Sequence, residues 1–214
     1  PGHYAGERVS MRINGFSISE GNRKLGSIPS FSLEPDLVCG LGCRHELLCR
    51  KKCYASKMKH YTAAAKAWLE NTLRWQADAN AGREALRVFL AKRKPKRFRW
   101  FVAGDIPDAL FFQTTLVPLA QEFPGTRFRL FTKQQWFIPP RNPDIPNLCV
   151  GISRWPGMPL ERRFKGYSFA WLRPKEPDRY YQIPKDAREC PGNCESCALC
   201  WHMKAGESVA LDEH

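Results

Sequence analysis

At 214 residues the chain suits one compact domain with a substantial core, or one domain with appendages. Its 43% hydrophobic content and seven tryptophans exclude disorder, no apolar run approaches the roughly 20 residues that span a bilayer, and no signal-peptide pattern opens the chain; a soluble, cytoplasmic protein with no membrane partner is expected. The formal charge of +13 exceeds what a solvated surface needs and favours a polyanionic partner, nucleic acid first and nucleotide phosphates second.

Residues 1–20 are polar and Gly-punctuated, a leader or edge hairpin with weak alternation from Arg12 to Ile18. Met11 can serve as a natural start, and the residues before it are assigned no function. Residues 21–214 read as a single α/β domain that ends in a cysteine cluster. After a turn-rich stretch, Phe31-Ser32-Leu33 is a short strand that stops at Pro35 and feeds a cysteine-rich loop. An Ala-rich helix spans about 61–76, with Ala64, Trp68, Leu69, Thr72, Leu73 and Trp75 at helical spacing. A second helix spans about 82–93, with Leu86, Phe89 and Leu90 on one face and a basic end before Pro95.

A strand over 98–102 then ends in Ala103-Gly104-Asp105. Ile106-Pro107-Asp108 opens a helix to about Phe123, with Pro107 near its first turn and Pro118 kinking it. Further strands are expected at 128–131, ending at Thr132-Lys133, at 148–152, ending at Ser153-Arg154, and at 167–171. Strands separated by helices or long crossovers imply a parallel sheet. There are too few units for eight repeats, so the expected fold is α/β: an incomplete parallel (β/α) barrel or an open parallel sheet, with cysteine-rich metal-binding loops. Such folds put their sites at the C-terminal strand ends.

Eight of the nine cysteines form two groups of four: Cys39, Cys43, Cys49 and Cys53, then Cys190, Cys194, Cys197 and Cys200. A chain with long apolar and helical stretches does not need disulfide staples, so these groups read as metal ligands, for zinc or an iron–sulfur cluster. Arg50, Lys51 and Lys52 beside the first group favour deprotonated thiols. His45 could add a ligand, but an exposed loop histidine is the simpler reading. The second group, with Pro191 after its first cysteine, has ferredoxin-like spacing in the opposite order; a zinc tetrathiolate fits almost as well. Cys149, in the apolar run Leu148-Cys149-Val150, reads as a buried structural thiol.

Other residues carry two readings. Asp105 is either a site carboxylate or a cap for the helix at Pro107. Lys133 either contacts a phosphate or carboxylate, or is a solvated lysine. Trp136 and Trp155 are candidates for base stacking among tryptophans that otherwise belong to the core. Basic residues concentrate at Arg50-Lys51-Lys52, at Lys92-Arg93-Lys94 with Lys96, Arg97 and Arg99, and at Arg162-Arg163 with Lys165.

The stretch Gly-Asn-Arg-Lys-Leu-Gly-Ser-Ile-Pro-Ser-Phe-Ser-Leu (21–33), Cys49-x3-Cys53-Tyr54-Ala55-Ser56-Lys57, Gly104-Asp105-Ile106, Phe131-Thr132-Lys133 and the terminal Cys190-Pro191…Cys200-Trp201 together resemble the phage gene product 88 domain family over about residues 21–201. More distantly, the cysteine–Tyr–Ala step and the strand-ending Thr-Lys are similar to phage radical-SAM-like proteins. That resemblance implies a partial α/β barrel whose three-cysteine [4Fe–4S] cluster leaves one iron free for S-adenosylmethionine. It points to Cys43, Cys49 and Cys53 as ligands, and sets Gly104 and Asp105 where radical-SAM enzymes carry a Gly-Gly-Glu that holds the methionine amine. The spacing here, x3, x5 and x3 over four cysteines, departs from the usual C-x3-C-x2-C.

The expectation is therefore an iron–sulfur, radical-SAM-like phage enzyme of the host cytoplasm, acting on nucleic acid or a nucleotide. Asp105 and Lys133 would line its pocket, and a second Fe–S cluster or zinc would sit at the C-terminal cysteines. Two alternatives stand beside it. One is a non-catalytic, zinc-stabilised nucleic-acid-binding protein, and the other a transferase or hydrolase using Asp105 as nucleophile or base.

Overall fold

A computed structural model describes residues 10–39, 53, 55, 62–158, 164–175 and 179–212 of the chain. Asn14 and Gly15 both take positive φ, 50° and 82°, the backbone of a two-residue turn matched to strand twist. They join β1 (Ser10–Ile13) to β2 (Phe16–Ser19) as an antiparallel hairpin. β2 pairs antiparallel with β3 (Ser30–Phe31). Where the sequence suggested a strand end at Pro35, a single helical turn follows, α1 (Pro35–Val38). Proline suits this first turn because its missing N–H would have no partner there anyway.

The long helices are α2 (Thr62–Ala77) and α3 (Ala79–Arg93). Asp78 separates them and caps α3, accepting from the Ala81 N–H at 3.0 Å. On α3, Leu86, Phe89 and Leu90 are buried as the periodicity indicates. On α2 the face agrees only in part: Thr72 and Trp75 are buried as the spacing indicates, but Leu69 and Leu73 are 42% and 53% exposed and Asn71 is buried instead. The short strands explain this, because their backbone groups need partners that a full ladder would have supplied. The Asn71 amide accepts from the Ser17 N–H and donates to the carbonyls of Ser17 and Ser32, at 2.8–3.0 Å. The Thr72 hydroxyl accepts from the Glu34 N–H at 2.7 Å.

After β4 (Arg97–Trp100), one continuous helical segment comprises α4 (Ala109–Phe111), a π turn (Phe112–Leu116) and α5 (Val117–Glu122). Its cap is Asp108, whose carboxylate accepts from the N–H groups of Leu110 and Phe111 at 2.8 Å each. Pro107 thus precedes the cap instead of entering the first turn. Just before Pro118 the helix widens, and the Val117 N–H reaches back five residues to the Phe112 carbonyl.

The remaining elements are β5 (Arg127–Thr132), β6 (Leu148–Arg154), β7 (Ser168–Arg173), β8 (Arg188–Glu189), α6 (Cys194–Cys197) and β9 (Ser208–Asp212). Nine strands form one sheet in the order β1-β2-β3-β4-β5-β6-β7-β9-β8, parallel from β3 onward. The order follows the sequence as far as β7, as in a barrel wall. Among the described residues its edges stay apart, so the sheet is open. β8 and β9 were not expected: one is two residues long, and the other is a Val-Ala-Leu run without alternation.

Side chains alternate between the two faces of a sheet, and the faces here differ. One carries Phe98, Trp100, Phe128, Leu130, Leu148, Val150 and Ile152, buried in the main core with Phe89, Leu90, Phe111 and Leu116 of the helices. The other carries Arg97 and Arg99 of β4 in register with Arg127 and Arg129 of β5, and it continues through Phe131 and Cys149 to Ala170 and Val209. The C-terminal cysteine segment lies over this second face, with Cys190, Leu199 and Cys200 packed on the cluster of Ala170, Met203 and Val209. No helix among the described residues is long and apolar enough to cross a membrane.

Candidate functional site

At the C-terminal strand ends, Asp105 follows β4 and Lys133 follows β5. Parallel pairing of these strands brings the two together although 28 positions separate them. Asp105 is only 2% exposed. Its carboxylate accepts from the Ile106 N–H and the Lys133 N–H, at 2.8 Å each. It therefore ties two strand ends together, and the helix cap anticipated for it falls to Asp108. Burial pushes the Asp105 carboxyl above its ordinary value, while the Lys133 charge, the Thr132 hydroxyl and the two N–H donors pull it back.

Gly104 stands at φ 79°, where a Cβ would come 2.6 Å from the Leu33 carbonyl oxygen and 3.1 Å from Val38 Cγ2. The loops after β3 and β4 touch at this point, and only glycine permits it. Gln134 completes the junction. It is fully buried, and its Nε2 donates to the carbonyls of Val38 at 2.6 Å and Ile106 at 3.3 Å. Its Oε1 is buried without a hydrogen-bond partner. Lys133 Nζ lies 5.4 Å from the centre of the Trp155 ring, and Trp136 is 37% exposed.

Cys39 sits on this same junction, at the C-cap of α1, with its N–H bonded to the Pro35 carbonyl at 2.9 Å. It is half-buried against the main core. Cys53 is half-buried too. Cys43, Cys49, His45 and the Arg50-Lys51-Lys52 run lie outside the described residues, as do Arg162 and Arg163.

The C-terminal cysteines are held by the second face of the sheet. The Cys190 N–H bonds to Ala210 of β9 at 3.0 Å, and the Cys194 N–H to the Lys24 carbonyl at 2.8 Å. Asn193 caps α6, and Ala198 at φ 52° turns the chain back. The Glu195 carboxylate accepts from the Ser27 N–H at 3.0 Å and from its hydroxyl. A Cβ on Gly26 would clash with that carboxylate. Arg97 donates to the carbonyls of Cys194 and Glu195 at 3.0 and 2.9 Å, and Arg127 to that of Trp201 at 3.5 Å.

Cys190, Cys194, Cys197 and Cys200 line one cavity with Asn193, Leu199, Trp201 and Val209. All four thiols are free. Among the described residues no three metal-binding side chains stand close enough together to hold a metal ion. Burial pushes the Cys194 and Cys200 thiols up from their ordinary value, and neighbouring thiols add to the rise. Arg99 opposes it at both, with Lys24 at Cys194 and Arg129 at Cys200. The donor set and its cationic surroundings fit a thiolate-bound metal.

Arg129 is fully buried. It donates to Cys149 Sγ at 2.7 Å and to Ser168 Oγ at 3.1 Å, reaches Met203 Sδ at 3.9 Å, and lies 3.7 Å from the Phe131 ring centre. Its Nε is buried without a partner. Cys149, expected as a packed thiol, is half-buried and polar in its contacts, donating to the Met203 carbonyl at 3.3 Å. The sequence reading missed Gln134, Arg127 and Arg129, and took Arg97 and Arg99 only as members of a basic run. A signal for the arginines exists in the repeated Arg-Phe-Arg of residues 97–99 and 127–129, where alternation over a strand sends both arginines to one face.

The basic stretch near residue 95 divides in two. Lys92, Lys94 and Lys96 are exposed, whereas Arg97 and Arg99 turn onto the sheet face. Lys96, Arg97, Arg127, Asn147 and His202 line an open groove that reaches Ala198, beside the cysteine cavity.

The family model for Gene product 88 matches residues 12–203, so the chain belongs to that phage gene product family. No curated protein and no solved structure matches it.

Proposed function

We propose that this member of the gene product 88 family is an iron–sulfur, radical-SAM-like phage enzyme of the host cytoplasm that acts on nucleic acid or a nucleotide, with zinc at its C-terminal cysteines. The observation that carries the reading is the junction at the ends of β3, β4 and β5, where the turn bearing Cys39 meets Gly104, Asp105, Lys133 and Gln134. The Cys39 turn, a buried carboxylate, a lysine and an amide oxygen without a partner collect there, where parallel sheets hold their ligands.

Cys43, Cys49 and Cys53 would hold a [4Fe–4S] cluster, on the family likeness, with Cys39 at the rim of the same loop. When bound, such a cluster supplies one electron for the reductive cleavage of S-adenosylmethionine. The chain's own residues supply position. Asp105 would meet an ammonium group beside the two N–H groups that hold it, Lys133 would offer a cation to a carboxylate or phosphate, and the Gln134 Oε1 would accept from a ligand donor. Gly104 lets the β3 and β4 loops close over the junction. The net charge of +13 and the groove lined by Lys96, Arg127 and His202 support a polyanionic substrate.

The test is anaerobic reconstitution with iron and sulfide, followed by reduction in the presence of S-adenosylmethionine. A brown protein that releases methionine and deoxyadenosine supports the reading, with release lost in Cys53→Ser and in Asp105→Asn while the latter keeps its iron. A colourless protein that takes zinc at both cysteine groups and leaves S-adenosylmethionine intact refutes it. That result would favour the second reading, a zinc-stabilised nucleic-acid-binding protein, which the four-cysteine lining of the C-terminal cavity beside the basic groove supports. An Asp105 nucleophile is disfavoured, because both carboxylate oxygens already accept backbone N–H groups.

A further inference from the structure

The N-terminal ends of the central strands build a second polar feature, at the opposite end of the sheet from the Asp105–Lys133 junction. Lys96 stands directly before β4, Arg127 opens β5 and Asn147 stands directly before β6. Two hydrogen bonds hold these starts side by side, from the Arg127 N–H to the Lys96 carbonyl at 2.9 Å and from the Phe128 N–H to the Asn147 carbonyl at 2.7 Å. With His202 they line the open groove. The chain fixes both of its walls. The Asn147 amide donates to the carbonyls of Ala120, Phe123 and Thr126 at 2.8–3.1 Å, which pins the turn carrying Pro124 and Gly125. Arg97 donates to the carbonyls of Cys194 and Glu195, so the cysteine segment supplies the other wall at Ala198 and His202. Lys96, Arg127 and His202 are exposed. Among the described residues no Asp or Glu lines the groove, and no Phe, Tyr or Trp either. A ligand held there is met by cations and has no ring to stack on.

We propose that this groove is a docking site for the phosphate backbone of a polynucleotide, with Lys96 and Arg127 as its cations, and that the substrate of the junction is therefore a polymer and not a free nucleotide. The inference rests on the reading of the junction as the reacting site. Cations along an open groove without carboxylates suit successive phosphates, and backbone contacts fix register without reading sequence. Length decides between polymer and nucleotide. β5 is six residues long, so at about 3.3 Å per residue the groove at its start lies roughly 20 Å from the Lys133 turn at its end. A stacked strand advances about 3.4 Å per nucleotide, so one nucleotide cannot touch both ends of the sheet whereas about six in a row can. A strand seated in the groove is held at one end of the sheet and presented to the junction at the other, with binding energy supplied far from the chemistry.

The test is fluorescence anisotropy with the full chain and a labelled single strand of about 12 nucleotides, roughly twice the span of the sheet, offered as DNA and as RNA. A Cβ at Gly125 meets nothing within 4 Å, so Gly125→Glu sets a carboxylate into the groove without a clash, and Gly125→Gln is its uncharged counterpart. Gly125→Glu should weaken binding about tenfold or more, while Gly125→Gln stays within a few-fold of the wild type. Lys96→Gln combined with Arg127→Gln should lower the slope of log affinity against log salt by about 1.4, the share of two phosphate contacts on a single strand. If that double variant fails to fold, judged by its helical circular dichroism, the Gly125 pair carries the comparison. A nucleoside monophosphate in large excess should not displace the strand. Equal affinities in Gly125→Glu and Gly125→Gln, an unchanged salt slope in a folded double variant, or displacement by the monophosphate overturns the docking site. The assay needs no reduced cluster, so the two readings fail separately. Cleavage of S-adenosylmethionine by a protein that binds no strand overturns the groove alone. A strand bound in the expected manner, with S-adenosylmethionine left intact, supports the groove and removes the chemistry assigned to the junction.

Discussion

The two faces of one sheet are stabilised in opposite ways. The helix-covered face is closed mainly by apolar burial: Trp100 lies 5.1 Å from Phe98 and 6.2 Å from Phe128, ring centre to ring centre. The face over Arg97, Arg99, Arg127 and Arg129 is closed by a cysteine segment that adds carbonyl, thiol and cation contacts to two small apolar clusters. The first should fold with the chain. The second should depend on what the cysteines hold, so the two faces are expected to come apart experimentally.

The sharpest break is Trp100→Ala, which opens a void at the centre of the first face. It should cost about 3–5 kcal/mol, seen as a lower urea midpoint for the whole sheet. A local loss confined to the C-terminal segment would contradict the division drawn between the faces. Stripping metal with a chelator should do the reverse. Hydrogen exchange over residues 190–203 should accelerate by roughly an order of magnitude or more, with α2 and α3 still protected.

Gly104→Ala places a Cβ against the Leu33 carbonyl in a left-handed conformation and should cost about 1–3 kcal/mol, measured by denaturation. Asp105 supplies a pH test. Burial raises its carboxyl in the folded state, so its stabilising contribution is complete below the ordinary value of 3.8 and is lost as pH rises through the raised one. Across that window the wild type should lose stability relative to Asp105→Asn by about 1.4 kcal/mol per pH unit, read from urea midpoints at a series of pH values. A gap that does not move with pH would show the carboxyl to be unperturbed. The smallest effect belongs to Leu73→Ala. With Leu73 53% exposed, the loss should stay within about 0.5 kcal/mol, and a larger one would restore the helix face that periodicity suggested.

Much of the fold is legible in the sequence where one periodicity dominates. The buried face of α3 and strands β4 to β7 can be read because each presents a regular apolar pattern to one core. The same reading holds only in part on α2, where Thr72 and Trp75 are buried as read but Leu69 and Leu73 are exposed, and Asn71 is buried to satisfy strand backbone and not to exclude water. It also fails at α1 and β8, which are too short for a period to register. At the candidate site, Asp105 and Lys133 are findable as polar residues ending consecutive parallel strands. Gln134 is not, since nothing near it in sequence reveals that its partners are the carbonyls of Val38 and Ile106.

The sequence alone determined that this is an α/β protein with two groups of four cysteines and a large positive charge. Spacing and composition are local properties, and they survive without a fold. Only the tertiary structure decided where that charge goes. Strand register set Arg97 against Arg127 and Arg99 against Arg129, and β9 laid the last cysteines over them. A guanidinium is solvated or buried according to what the rest of the chain brings to it, and that is a matter of long-range pairing, which no window of residues contains.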